Sequence, residues 1–211
     1  MRLKNIEHDE LWKSALETFF KDFLELFFSE WLSLIDFEKP FEFLDNELSK
    51  IIPKSESKNR RADKLVKVFL KNGKEHWFLI HIEVQAQHQG SFAERMFDYF
   101  YRIKDKYNRP VTAFALFTYA RNDYPTIYEY EFMGTKLRYE YRSFSILELA
   151  DKERSPQNIF GYLIEIAYAE TKSKDDKILH KDLIEIVRKM DENNISIPVF
   201  SIPPSVCEWL F

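Results

Sequence analysis

The chain has 211 residues, 45% of them hydrophobic and 31% charged, which suits one compact domain with a small helical addition. A single cysteine, Cys207, excludes an internal disulfide framework and a cysteine-rich zinc site, and no apolar run reaches the length of a membrane span. The opening MRLKNIEHDELWK lacks the apolar stretch of a signal peptide, so the chain is expected in the cytoplasm, and a net charge of −4 argues against coating nucleic acid by charge alone.

From Asp9 to about Ser29, Trp12, Leu16, Phe19, Phe20, Phe23, Leu24 and Phe27 recur at helical spacing with charges between them, predicting one amphipathic helix that Asp9 caps. Between Trp31 and Pro53 the pattern is irregular: Pro40 breaks any helix, and FEFLDNEL reads as a strand or a turn. Residues 54 to 61 are polar and basic, as expected of an exposed loop. From Lys50 to Lys74 nine basic residues stand against two acids, so a segment of +7 leaves −11 elsewhere. Such a run is most often a solvated face, but this one leads directly into candidate acids.

Residues 61 to 85 then read as two β-strands joined by a tight turn. Residues i and i+2 of a strand share a face, so Glu83 and Gln85 lie with His81, Leu79 and Trp77. Whether Asp63 joins them depends on register. A two-residue Asn72-Gly73 turn would set it opposite Ile82, on the wrong face. A three-residue loop, Lys71-Asn72-Gly73, pairs Leu70 with Lys74 and sets Asp63 opposite His81 and diagonal to Glu83; this is the expected register.

Ser91, with Glu94 three residues on, signals a helix to about Tyr107 whose apolar face is Phe92, Met96, Tyr99, Phe100 and Ile103. Arg95 and Arg102 lie off that stripe, available to DNA phosphates or to solvent. Asn108-Arg109-Pro110 stops the helix, and VTAFALFTYA is an almost wholly apolar strand, as for one buried on both faces. The helix is thus a crossover that lets this strand lie parallel to its predecessor. IYEYEF and KLRYEYRSF predict a further hairpin around Gly134, its strands half-buried. Ser155-Pro156 opens a helix through Ala169, and Asp175 to Met190 places Leu179, Leu183, Ile186, Val187 and Met190 on one stripe. The chain ends on large apolar residues, IPVFSIPPSVCEWLF, which suggests docking, a partner or truncation at Phe211.

Phosphodiester hydrolysis needs a nucleophilic water and a stabilised leaving oxygen, and a Mg²⁺ held by two carboxylates serves both. Asp63 and Glu83 are hard oxygen ligands of the right kind, the Val84 carbonyl is a third oxygen, and Mn²⁺ can substitute. Each residue also has a plainer reading. Asp63 can cap a turn or pair with Arg60 or Arg61, Glu83 can sit in an ion pair, Gln85 can be an exposed strand end, and His81 can be a core histidine as readily as a phosphate contact.

HDELWK, FLDNEL, RADKLVKV, LIHIEVQ, FAERMFDYFYRI and the apolar strand after Pro110 stand in an order and spacing that resembles the Rpn-type recombination-promoting nuclease, or putative transposase, family of the PD-(D/E)XK superfamily. The resemblance covers residues 8 to 120 well and the rest loosely. It implies an α/β fold with a restriction-endonuclease-like core, a mixed central sheet flanked by helices: residues 1–150 as the nuclease-like domain and 151–211 as a helical extension. It also maps the family's strand acid to Asp63 and its E-x-K-like motif to Glu83 and Gln85. Gln85 stands where the superfamily usually has Lys, so it hydrogen-bonds a water but brings no charge. For the superfamily's further acid Glu47 is the first choice, with Asp9, Glu10 and Asp45 as rivals. The expectation is a Mg²⁺-dependent DNA endonuclease linked to mobile elements or recombination. Asp63, Glu83 and Glu47 would hold the metal, Gln85 the water, and Lys58, Arg60, Arg61 and Arg95 the DNA backbone. The competing expectation is a non-catalytic DNA-binding or assembly module of the same fold, dimeric through the C-terminal helices.

Overall fold

The computed structural model describes residues 5–51, 62–71, 77–86, 90–119, 123–151, 158–173 and 175–195. They fall into two compact units, one of residues 5–32, 118–119 and 145–195, the other of 33–117 and 123–144. The boundary expected near residue 150 falls within a short helix, Ile146–Asp151.

In the first unit the expected N-terminal helix is two, α1 (Asn5–Thr18) and α2 (Phe20–Phe27), with Phe19 between them at φ −117° and ψ 34°. The i to i−4 bonding runs on through the break, from Phe19 N–H to the Ala15 carbonyl and from Phe23 N–H to the Phe19 carbonyl, both 2.9 Å. Asp9 lies inside α1, which starts at Asn5, and therefore does not cap it. The long aromatic stripe does what its spacing predicts: Trp12, Phe20, Phe23, Leu24 and Phe27 are all buried. The last helices belong to the same unit. Buried residues occur all round the helix Ile159–Lys172, and its Phe160 ring lies 5.4 Å from Phe23 and 6.0 Å from Trp12. Asn158, rather than the expected Ser155-Pro156, begins it, and those two residues lie outside the described ones. In Asp176–Glu192 only Ile186 and Met190 of the anticipated stripe are buried, while Val187 is exposed.

The second unit is built on a mixed sheet. FEFLDNEL divides between a two-residue strand, β1 (Glu42–Phe43), and a helix, α3 (Asp45–Ile51), which sequence pattern alone did not resolve. Then come β2 (Ala62–Phe69), β3 (Trp77–Gln85), α4 (Phe92–Tyr107) and β4 (Val111–Phe117). Asn108, left-handed at φ 46°, ends α4. β2 lies antiparallel to β1 and β3, while β4 lies parallel to β3, as the crossover helix requires. Met133 and Gly134, both at positive φ, turn a separate two-stranded ribbon, β5 (Ile127–Phe132) with β6 (Thr135–Glu140). Its strands are more exposed than expected, Tyr130, Phe132 and Met133 openly so. The segment read as one strand, KLRYEYRSF, breaks at Tyr141. Its second part, β7 (Arg142–Ser145), joins the main sheet, whose order is β1-β2-β3-β4-β7.

The architecture is therefore mixed α/β, a mixed central sheet flanked by helices. α3 and α4 cover one of its faces: Leu48, Tyr99 and Ile103 pack with Leu65 and Leu79. Among the described residues no helix is long and apolar enough to cross a membrane.

Candidate functional site

The β2–β3 ladder pairs Phe69 with Trp77, Leu65 with His81 and Asp63 with Glu83. The expected register is corrected by two residues: Asp63 stands directly opposite Glu83, not opposite His81. The loop that sets this pairing, residues 72–76, lies outside the described ones. A shift of two leaves every side chain on its original face, which is why the two acids still come together. Directly opposed residues place their Cβ atoms roughly 4.5–5.5 Å apart. Gln85 and His81, two residues either side of Glu83, share that face, as do Ala113 and Ala115 of the parallel neighbour β4.

Glu83 is 1% exposed, and a carboxylate so buried needs a partner. It has one. Arg95, in the first turn of α4, grips it with two donors: Nε gives to Oε1 at 3.3 Å and Nη2 to Oε2 at 3.0 Å. The same Nη2 donates to Gln85 Oε1 at 3.0 Å. Burial works against the charge on Arg95, but Glu83 more than offsets it, and the guanidinium is held above its ordinary value. Arg95 is therefore not an outward-facing DNA contact, as its place beside the apolar stripe suggested. It sits three residues after the buried Phe92 and four before the buried Tyr99, on the border of the stripe, and so reaches the sheet. That spacing is the signal in the sequence that would have found it. Arg102 also turns inward, donating to the Ile51 carbonyl at 3.1 Å.

Around this core stand two more polar side chains. His81 is fully buried against the edge of the Tyr99 ring, centroids 5.3 Å apart, and neither of its nitrogens has a hydrogen-bond partner among the described residues. Burial above all, with Arg95 acting in the same direction and Glu83 opposing both, lowers its pKa to about 4, so the imidazole is neutral near pH 7. Tyr139, from β6, places a buried hydroxyl within the field of Glu83, and burial and that carboxylate both hold the phenol in its neutral form. No sequence signal marked Tyr139, since the ribbon carrying it is far from Glu83 in the chain.

Glu47 lies elsewhere. It accepts from Lys106 Nζ at 2.6 Å and Lys50 Nζ at 2.5 Å, and these bonds, that of Lys106 first, lower its pKa to about 2. Lys106 is eleven residues beyond Arg95 on α4, about 16 Å along the helix, so Glu47 does not join the Asp63–Glu83 pair. Of its rivals, Asp45 is bound to Lys64 Nζ and to the Leu65 N–H, and Lys64 is on the face opposite Asp63. Asp9 and Glu10 fall in α1. Lys58, Arg60 and Arg61 lie outside the described residues.

Among the described residues no group of three or more His, Cys, Asp and Glu side chains is arranged to hold a metal ion. The donors that do meet are two carboxylates, hard oxygens that suit a divalent cation such as Mg²⁺. Val84 is paired with Ala62 on one side and Leu116 on the other, so its carbonyl lies in the plane of the sheet beneath them. Both Glu83 oxygens are bound by Arg95, so a cation could bind there only where Arg95 yields at least one of them. No family model, curated protein or solved structure matches the chain.

Proposed function

We propose that this protein is a divalent-metal-dependent DNA endonuclease of the PD-(D/E)XK type, acting in recombination or on mobile elements. The observation that carries the reading is the direct pairing of Asp63 with Glu83 on the face that Gln85 shares. Asp63 and Glu83 would hold Mg²⁺ or Mn²⁺. When bound, the ion lowers the pKa of a water and offsets charge on the phosphate. Gln85 orients that water through its amide. Arg95 bridges Gln85 and Glu83, and so brings from α4 the positive charge that a lysine at position 85 would have carried. His81, neutral, adds no charge to the site.

The grip of Arg95 on both Glu83 oxygens favours a second reading, a non-catalytic DNA-binding or assembly module in which the guanidinium takes the cation's place. Plasmid nicking in Mg²⁺ and in Mn²⁺ separates the two, with Glu83→Ala purified identically as the control. Nicking by the parent that disappears in the variant is the expected outcome. An intact plasmid with both proteins, or equal nicking by both, leaves the module as the better account.

A further inference from the structure

A cleft of ≈ 360 Å³ lies between α4, the start of β4 and the bend from β6 into β7. Its lining includes Phe100, Thr112, Ala113, Tyr139, Tyr141 and Arg142. Ala113 is the neighbour of His81 across the parallel ladder, so the cleft opens on the face that carries Asp63 and Glu83. Tyr139 joins the two places. Its ring lies 4.9 Å from Phe100 and 5.7 Å from Tyr141, and its buried hydroxyl, inside the field of Glu83, has no hydrogen-bond partner among the described residues. Tyr141, one ring away, is different: its hydroxyl donates to the Pro125 carbonyl at 2.6 Å and is structurally employed.

A buried hydroxyl without a partner is costly, and protein interiors seldom keep one unless something else engages it. The volume is near the lower limit for a small-molecule site, enough for one ring system and its sugar but not for a helix or strand of another protein. Aromatic walls suit a flat ring. The Arg142 guanidinium at the cleft's wall brings donors for a polar ring edge.

We propose that the cleft receives an unstacked nucleobase, that of the nucleotide whose phosphate lies at Asp63 and Glu83, and that the Tyr139 phenol donates a hydrogen bond to an oxygen of this nucleotide. The proposal rests on the nuclease reading for its ligand class and deepens it. A base must leave its stack to enter, so unpaired or frayed DNA is the preferred substrate.

The test follows a short single-stranded DNA carrying one fluorescent adenine analogue, titrated with the full chain in Ca²⁺. The expected result is quenching as the analogue stacks. Ala113→Phe, whose ring projects from the cleft's sheet side, abolishes the quench, and Tyr139→Ala weakens affinity roughly tenfold or more. Tyr139→Phe keeps the ring and its packing, and with them the fold; it retains the quench and weakens affinity roughly fivefold through the lost hydrogen bond. No quench, or a quench and affinity unchanged in every folded variant, overturns the proposal. The readout requires no cleavage. Quenching without plasmid nicking supports the cleft and removes the enzyme, while nicking without quenching does the reverse.

Discussion

Glu83 is buried against Arg95, and removing the arginine would leave a buried carboxylate without its ion-pair partner. Arg95→Ala should therefore destabilise the protein by about 3–5 kcal/mol in EDTA. If the carboxylates are a cation site, Mn²⁺ should restore part of that loss by taking the vacated position. Urea melts of the variant with and without Mn²⁺ test this, and identical midpoints would speak for the module. His81 carries a second consequence. Its folded pKa, about 4, lies below the 6.5 of the unfolded chain, so between those values the unfolded state binds more protons. Its contribution is complete above pH 6.5 and lost as pH falls toward 4, by roughly 3 kcal/mol across the window. Comparing the pH dependence of stability with that of His81→Gln, which has no titrating ring, measures it. If both proteins lose the same stability, His81 is not the cause. At this scale the shared face of Glu83 and Gln85 is legible, because a period of two assigns faces within one strand, whereas Asp63 joins them only through the register of the hairpin. Arg95 was misread because a helical wheel shows which residues flank a stripe but not whether a long side chain reaches past it.

Elements declared themselves through their ends and spacing to different degrees. α4 and β4 were readable, since a sustained apolar period and a continuous apolar run survive most contexts. Ser91, however, occupies the N-cap position of α4 without making a side-chain cap bond. In Ile159–Lys172 the cap does bond. Asn158 Oδ1 accepts from the Gly161 N–H at 3.1 Å, and Nδ2 donates to the Asp22 carbonyl at 2.9 Å, tying the helix start to α2. Asn158→Ala should cost about 1–2 kcal/mol by thermal or urea melting. Asn158→Asp keeps the cap acceptor and loses the tie, so the difference between the variants isolates the cap, and the loss in Asn158→Asp measures the contact to α2. Equal losses would show that the cap contributes nothing. Short elements such as β1, α3 and β7 escaped sequence reading because a few residues cannot display a period.

On the scale of the molecule, each unit has its own core, and Phe160 is central to the first: fully buried, with Trp12, Phe23 and Phe27 around it. Phe160→Ala should cost about 3–5 kcal/mol, with the loss of hydrogen-exchange protection centred on α2 and its own helix. Loss spread evenly over the sheet unit as well would mean that the two units unfold as one. The sequence by itself determined the order of helix, hairpin, crossover helix and parallel strand, and that Glu83 and Gln85 share a face, because local periodicity and chain connectivity dictate both. Only the tertiary structure decided the direct pairing of the two acids, the arginine between Glu83 and Gln85, the removal of Glu47 to the far end of α4 and the arrival of Tyr139 from the ribbon. Those depend on register, on side-chain reach and on contacts between distant segments, none of which a local pattern encodes.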